Sequence, residues 1–307
     1  MRLLITGGLG FVGKNLILYL LERHSDLAIT IIDNLSRYNK PEDVGRILSL
    51  RNVRWLKFDL KDGTLCLRHI RDVDAVIHLA ARTNVAYSIQ NPAESLNCNI
   101  VSTVNVLEAC RINGIPRILF ASTAAVHGQE NPDTGGVEHS PYGLSKKICE
   151  ETVRLYGRLY GIRYACLRFF NLYGPYQYAE DPCKNVIGML FQAKRQGTPF
   201  TIYGGNQTRD FVYIDDLCTV IDDVLMQDWK DLCLEIGKGT VNTIYELVET
   251  FQMVTGHKLD VNVMPSRKGE VVHSRISNNN DACTFVRPSI GLEEGLKRMH
   301  TYHGGTP

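Results

Sequence analysis

The chain has 307 residues, 44% hydrophobic and 22% charged, with 34 Lys+Arg against 33 Asp+Glu for a net charge of +1. That length admits one large core or two closely packed domains, and the composition is ordinary for a soluble globular protein. The charge balance offers no basic excess for nucleic acid, and no apolar run reaches the roughly 18 residues of a membrane span. The apolar part of the N-terminus is too short for a signal peptide. Nine scattered cysteines without a Cys-x-x-Cys motif suit reduced, buried thiols in a cytoplasmic protein. The nine histidines form no ligand cluster, and His300 and His303 fall in a terminal stretch, so no metal site is expected.

Residues 2–6 read as a short buried strand. Gly7-Gly8-Leu9-Gly10-Phe11-Val12-Gly13 follows, then an apolar helical run from Lys14. The glycines satisfy both G-x-G-x-x-G and G-x-x-G-x-x-G. In a strand–turn–helix context they let the backbone approach a pyrophosphate, which then sits at the positive end of the helix. A second strand, 28–32, ends at Asp33. A carboxylate there accepts the adenosine ribose hydroxyls and repels a 2′-phosphate, which favours NAD over NADP.

The βα rhythm continues along the chain. Val53–Phe58 reads as a strand ending at Asp59 and Leu60, and Ala75–Ala81 as another whose end, Leu79-Ala80-Ala81, is small enough for a cofactor to lie close. Residues 94–113 read as a long helix and 117–123 as a strand ending in hydroxyls at Ser122 and Thr123. The alternation predicts an α/β fold with a doubly wound parallel sheet and ligands at the carboxyl ends of its strands.

Tyr142 and Lys146 form the single Tyr-x-x-x-Lys of the chain, which has 14 tyrosines. On a helix this spacing stacks both side chains on one face. By itself such a pair also suits a solvated face. Beside a dinucleotide it suits a base, because an ammonium near a phenol favours the phenolate.

At this point the chain resembles the nucleotide-sugar epimerase/dehydratase branch of the extended short-chain dehydrogenase/reductase family. The resemblance runs nearly end to end. It rests on the glycine loop, His78-Leu79-Ala80-Ala81, Ser122-Thr123-Ala124-Ala125-Val126-His127-Gly128 and Ser140-Pro141-Tyr142-Gly143-Leu144-Ser145-Lys146. It continues through Arg168-Phe169-Phe170-Asn171-Leu172-Tyr173-Gly174-Pro175, Gln207-Thr208-Arg209-Asp210 and Arg267-Lys268-Gly269-Glu270.

The resemblance implies roles for these positions. Tyr142 is the acid/base for a sugar hydroxyl. Lys146 lowers its pKa and holds the nicotinamide ribose, and Thr123 hydrogen-bonds the reacting oxygen. Phe11 and Val12 offer backbone contacts to the pyrophosphate of NAD. Asn34 and Ser36 lie near the adenosine ribose, Asp59 and Leu60 flank the adenine, and Asn99 and Phe170 line the cofactor. Asn84 sits beside the sugar. Asn171, Arg209 and Arg267 grip the diphosphate of a nucleotide sugar, as forked guanidiniums suit phosphate oxygens. Glu270 takes the nucleoside ribose.

The family's common step oxidises a sugar hydroxyl, usually at C4. Its dehydratases carry Asp-Glu after the threonine, where this chain has Ala124 and Ala125. Neither alanine moves a proton, so 4-epimerisation of a UDP-hexose or UDP-N-acetylhexosamine is the expected outcome. A dehydratase with another proton route, a reductase and a non-catalytic NAD-binding protein are the alternatives. His127 replaces a usual tyrosine, and Ser274 falls where a bulky residue excludes N-acetyl groups in some members.

The resemblance also implies a Rossmann domain over 1–170, rejoined by 203–239, and a smaller C-terminal substrate-binding domain, mainly 171–307, with the active site in the cleft between. A homodimer is expected through the long helices near 94–113 and 142–160.

Overall fold

The computed structural model describes residues 1–37, 39–130, 137–178, 181, 185–266, 273–276 and 285–305. The chain separates into two compact units, Met1–Arg168 with Met226–Leu234, and Phe169–Leu225 with Glu235–Pro307. The stretch that rejoins the first unit is therefore Met226–Leu234, shorter than the expected 203–239.

The first unit runs β1 (Arg2–Thr6), α1 (Phe11–Arg23), β2 (Ala28–Ile32), α2 (Pro41–Leu48), β3 (Val53–Leu56), α3 (Gly63–His69), β4 (Ala75–His78), α4 (Val85–Gln90), α5 (Pro92–Ile112) and β5 (Arg117–Thr123). A 3-10 turn over Ala124–His127, the short hairpin β6 (Gln129–Glu130) and β7 (Val137–Glu138), α6 (Pro141–Tyr160) and β8 (Arg163–Phe169) follow. The second unit carries β9 (Asn171–Tyr173), α7 (Val186–Gln196), β10 (Phe200–Tyr203), β11 (Thr208–Tyr213) and α8 (Ile214–Met226). After β12 (Leu232–Ile236) come β13 (Val241–Thr243), α9 (Ile244–Thr255), β14 (Val261–Met264), β15 (His273–Ser274) and α10 (Leu292–Tyr302).

The main sheet has seven strands in the order β12-β8-β5-β4-β1-β2-β3. The pairs β1–β2, β2–β3, β1–β4 and β4–β5 are parallel. Strand order reverses between β1 and β4, which is the switch point where a doubly wound sheet opens a crevice for ligands. The central strands are apolar on both faces, with Leu3, Leu4, Ile5, Val76, Ile77, Ile118, Leu119 and Phe120 all fully buried. That is the signature of a parallel sheet covered by helices on each side. β3 and β4 stop at Leu56 and His78, short of the expected ends at Phe58 and Ala81. Beyond them the backbone leaves the ladder for the edge loops, as Ala80 N donates to Thr6 Oγ1 at 3.3 Å.

Helix α6 is fixed at both ends. Ser140 Oγ accepts from Gly143 N at 3.1 Å, a cap contributing about 1 kcal/mol, and Gly161 closes the helix in the left-handed region at φ 71°. In the second unit β10 pairs with β14, while β11 lies between β13 and β15 and also pairs with β9. Among the described residues no helix is long and apolar enough to cross a membrane.

Candidate active site

The glycine loop can be built only from glycine at two positions. Gly7 has φ +67°, and a Cβ there would lie 2.8 Å from the Ala80 backbone. A Cβ on Gly13 would lie 2.5 Å from the carbonyl oxygen of Gly8. β1 and β4 therefore deliver their loops into near contact, and α1 starts directly against the turn. Gly10 caps α1 with no side-chain hydrogen bond, so no side chain occupies the first-turn N–H groups, among them those of Phe11 and Val12. A cradle without a Cβ, at a helix N-terminus, fits a pyrophosphate.

Asp33 follows β2. Its Oδ2 accepts from Leu9 N at 3.0 Å and its Oδ1 from Leu35 N at 2.8 Å. Burial pushes its carboxyl up against the pull of these N–H groups and of the Lys14 charge. Both oxygens keep lone pairs for further donors, as ribose hydroxyls require. Asn34 Nδ2 donates to Asp59 Oδ2 at 3.3 Å, and Ser36 N donates to Asn34 Oδ1 at 3.0 Å. Gly7, Asp33, Asn34, Ser36 and Asp59 thus belong to one hydrogen-bonded edge of the sheet. Leu60 is buried, and its carbonyl accepts from Asn105 Nδ2 at 2.8 Å. These residues fit a dinucleotide.

Tyr142 and Lys146 lie on α6, 8% and 2% exposed. Ser88 Oγ accepts from Tyr142 N at 3.2 Å, while Ser145 Oγ donates to Tyr142 O at 2.7 Å. Asn99, on α5, donates to Ser145 Oγ at 2.8 Å and to Arg82 O at 3.1 Å, and accepts from Arg82 N at 2.8 Å. Asn99 therefore ties the loop after β4 to the first turns of α6.

Thr123 closes β5 and caps the following turn, accepting from Ala125 N at 3.2 Å. That turn is seated hard on α6, since a Cβ on Gly143 would meet Ala125 O at 2.5 Å. The same seating brings the Thr123 hydroxyl beside the Tyr142 phenol, where it favours the phenolate.

The electrostatics differ from the sequence expectation. Burial pushes the Tyr142 phenol up to about 12, against a downward pull from the Thr123 hydrogen bond and the Arg37 charge. Lys146 has partners of its own. Its Nζ donates to Ala121 O at 2.7 Å and stands 4.6 Å from the centre of the Phe120 ring. Burial pushes this ammonium down to about 8. Arg37 supplies a charge that favours the phenolate.

Glu150, one turn past Lys146, is 1% exposed. It accepts from Ser122 Oγ at 2.6 Å, from Arg168 Nε and Nη2 at 2.9 and 2.8 Å, and from Arg154 Nη2 at 2.9 Å. Burial pushes its carboxyl up, but Arg168 and Ser122 outweigh that and hold it below the usual range. Sequence reasoning assigned no role to Glu150 or Arg37. A carboxylate four residues after Lys146 and a cation next to Ser36 were the signals for them.

Other expected positions have local occupations. Asn84 caps α4, its Oδ1 accepting from Tyr87 N at 2.7 Å. His127 is exposed at the end of the 3-10 turn. In the second unit Phe170 is buried, Asn171 Nδ2 donates to Asp210 O at 3.1 Å, and Arg209 Nη1 donates to Thr208 O at 2.9 Å. Arg209 pairs with Ser274 in the β11–β15 register, so the expected diphosphate cation and the expected N-acetyl position are neighbours. Arg267 and Glu270 lie outside the described residues. No group of three or more His, Cys, Asp or Glu side chains suited to a metal occurs among the described residues.

A seven-stranded, mostly parallel sheet with a glycine cradle at its switch point and a buried Tyr-x-x-x-Lys helix defines an extended short-chain dehydrogenase/reductase. The chain belongs to the NAD dependent epimerase/dehydratase family, whose model matches residues 3–233, and its cofactor is NAD. A relative from Methanocaldococcus jannaschii is 33% identical over 304 residues, 97% of this chain and 96% of its own. The UDP-N-acetylglucosamine 4-epimerase of Methanobrevibacter ruminantium, solved with UDP-N-acetylmuramic acid, superposes with a TM-score of 0.88 at 31% identity, over 98% of this chain and 97% of its own. The dTDP-glucose 4,6-dehydratase DesIV of Streptomyces venezuelae, solved with NAD, gives 0.89 at 28% identity, over 99% and 97%. The chain's chemistry is thus that of NAD-dependent nucleotide-sugar epimerases and dehydratases.

Proposed function

We propose that the protein interconverts nucleotide-diphosphate sugars epimeric at C4, with UDP-hexoses or UDP-N-acetylhexosamines as the substrate class. The observation that carries this reading is the pair Ala124 and Ala125, directly after Thr123, whose hydroxyl lies beside the Tyr142 phenol. Tyr142 takes the proton of the C4 hydroxyl, and Thr123 holds the same oxygen. Lys146 is the residue for the nicotinamide ribose, and Asn171 and Arg209 are those for the sugar-nucleotide diphosphate. When bound, NAD supplies the hydride acceptor that takes the C4 hydride and returns it. Loss of water across C5–C6 needs a further acid and base, which the two methyl side chains cannot supply. The 4-keto sugar therefore recovers hydride and proton at C4, on either face.

Small Ser274 beside Arg209 supports an N-acetyl sugar, as does likeness to an epimerase that acts on UDP-N-acetylglucosamine. A 4,6-dehydratase is the second reading, favoured by the equal likeness to the Streptomyces enzyme. The protein works as a homodimer through α5 and α6, a reading supported by exposed Leu144, Ile148, Leu155 and Leu159 along α6.

Incubation with UDP-, GDP-, CDP- and dTDP-hexoses, followed by NMR of the products, tests the reading. We expect inversion at C4 of a UDP-sugar with no net change in nicotinamide absorbance. A 4-keto-6-deoxy product without C4 inversion would establish the dehydratase instead.

A further inference from the structure

We propose that Arg37 is a guanidinium strap over the glycine loop that grips the diphosphate of NAD and retains the cofactor between turnovers. This rests on the family's cofactor and not on the C4 reading.

The geometry comes from the sheet order. β1 lies between β4 and β2. Arg37 belongs to the loop after β2 and Thr83 to the loop after β4, and Arg37 Nη1 donates to Thr83 Oγ1 at 3.3 Å. A side chain joining those two loops crosses the carboxyl end of β1, where residues 7–13 begin. Its charge also favours the phenolate of Tyr142, which puts it towards the reacting end of the edge rather than out beyond the adenosine end.

The loop that carries Arg37 is held in place. Lys14, on α1 and 1% exposed, donates from Nζ to Asn39 Oδ1 at 2.7 Å. Asn39 Nδ2 donates in turn to Arg37 O at 3.3 Å. A buried ammonium must be hydrogen-bonded, and here that need ties the far side of the loop to α1. On the near side, Asp33 binds Leu9 N of the glycine loop and Leu35 N of its own loop. Arg37 is thus anchored from both directions to the elements that form the cradle.

The cradle lacks a full positive charge of its own. Residues 7–13 are Gly-Gly-Leu-Gly-Phe-Val-Gly, and the α1 terminus contributes only about half a charge. A dinucleotide diphosphate carries two. Arg37 brings a planar fork of five donors that suits phosphate oxygens and can keep its bond to Thr83 while engaging them.

A nucleotide sugar also carries a diphosphate, so the test separates the two. Wild type, R37Q and R37K are purified, stripped of nucleotide and titrated with NAD and, separately, with UDP. Retained NAD is measured after gel filtration. R37Q should bind NAD about ten- to a hundredfold more weakly, the effect of losing a charge-assisted hydrogen bond, and should emerge from the column depleted of NAD. R37K, which keeps the charge and loses the fork, should fall between. Ligand-free melting temperatures should be unchanged, and the rise in melting temperature on adding NAD should shrink. Wild-type NAD affinity in both variants would overturn the proposal. So would a loss confined to UDP, which would assign Arg37 to the substrate. Should R37Q melt early without ligand, R37K decides: NAD affinity equal to wild type overturns the strap, and weakened affinity in a protein of normal stability supports it.

Discussion

Burial and charge pull Tyr142 in opposite directions. Burial alone keeps the phenol protonated at neutral pH, and only a donor and a cation beside it favour the phenolate. Thr123 and Arg37 are such groups. Replacing Tyr142 with Phe removes the proton-transfer group and leaves the backbone bonds to Ser88 and Ser145 in place. Turnover should fall by roughly 10²–10⁴-fold while NAD stays bound. Activity persisting near wild type would exclude Tyr142 as the acid/base. The sequence showed that Tyr142 and Lys146 share a helix face, because spacing fixes direction around a helix. It did not show where the ammonium points, since a four-carbon stem can turn away from a neighbour one turn distant. Lys146 turns to Ala121 O. Asn84 is a similar case: Asn suits both a sugar contact and a helix cap, and the fold uses it as a cap.

The elements were more legible than the bonds between them. β1, β2 and β5 have the bounds that hydrophobic runs and strand-end residues suggested. His78 shows what lay beyond reach. It ends β4 with no solvent exposure, and its Nδ1 lies 2.6 Å from Thr6 Oγ1 of β1 and its Nε2 3.1 Å from Thr103 Oγ1 of α5. One imidazole joins two strands and a helix, a relation between segments 72 and 25 residues apart that no local pattern encodes. Burial, aided by the Lys146 charge, pushes its pKa down from 6.5 to about 3. The unfolded chain therefore binds this proton first as the solution is acidified. The stability it contributes is complete above pH 6.5 and declines as pH falls towards about 3, by at most about 5 kcal/mol. Urea melts at pH 7 and pH 4.5 should show a larger loss for wild type than for His78→Gln. Equal losses would show that His78 does not titrate between the folded and unfolded states.

At the scale of the molecule, the exposed aliphatic side chains of α6 predict its assembly. Leu144, Ile148, Leu155 and Leu159 are 39%, 38%, 43% and 61% exposed at helical spacing, and contiguous apolar surface of this kind marks an interface. Light scattering should give twice the monomer mass for wild type. Leu155→Glu combined with Leu159→Glu should shift it to the monomer. A wild type that is already monomeric at micromolar concentration would refute the dimer. These aliphatic residues were visible in the sequence, but only burial of the opposite face of α6, through Tyr142, Lys146, Cys149 and Val153, identifies them as the outward ones.

The main sheet ends in β12, hydrogen-bonded to β8. Between those strands the chain makes the whole of 169–225 in the second unit. On the ribosome the first unit therefore waits, with β8 as an open edge, until residue 236 has been synthesised. An open strand edge is a template for pairing with other chains, and nascent chains are most aggregation-prone in such states. A fragment cut after 170, although it would hold the glycine loop, Tyr142 and Lys146, would keep that edge permanently.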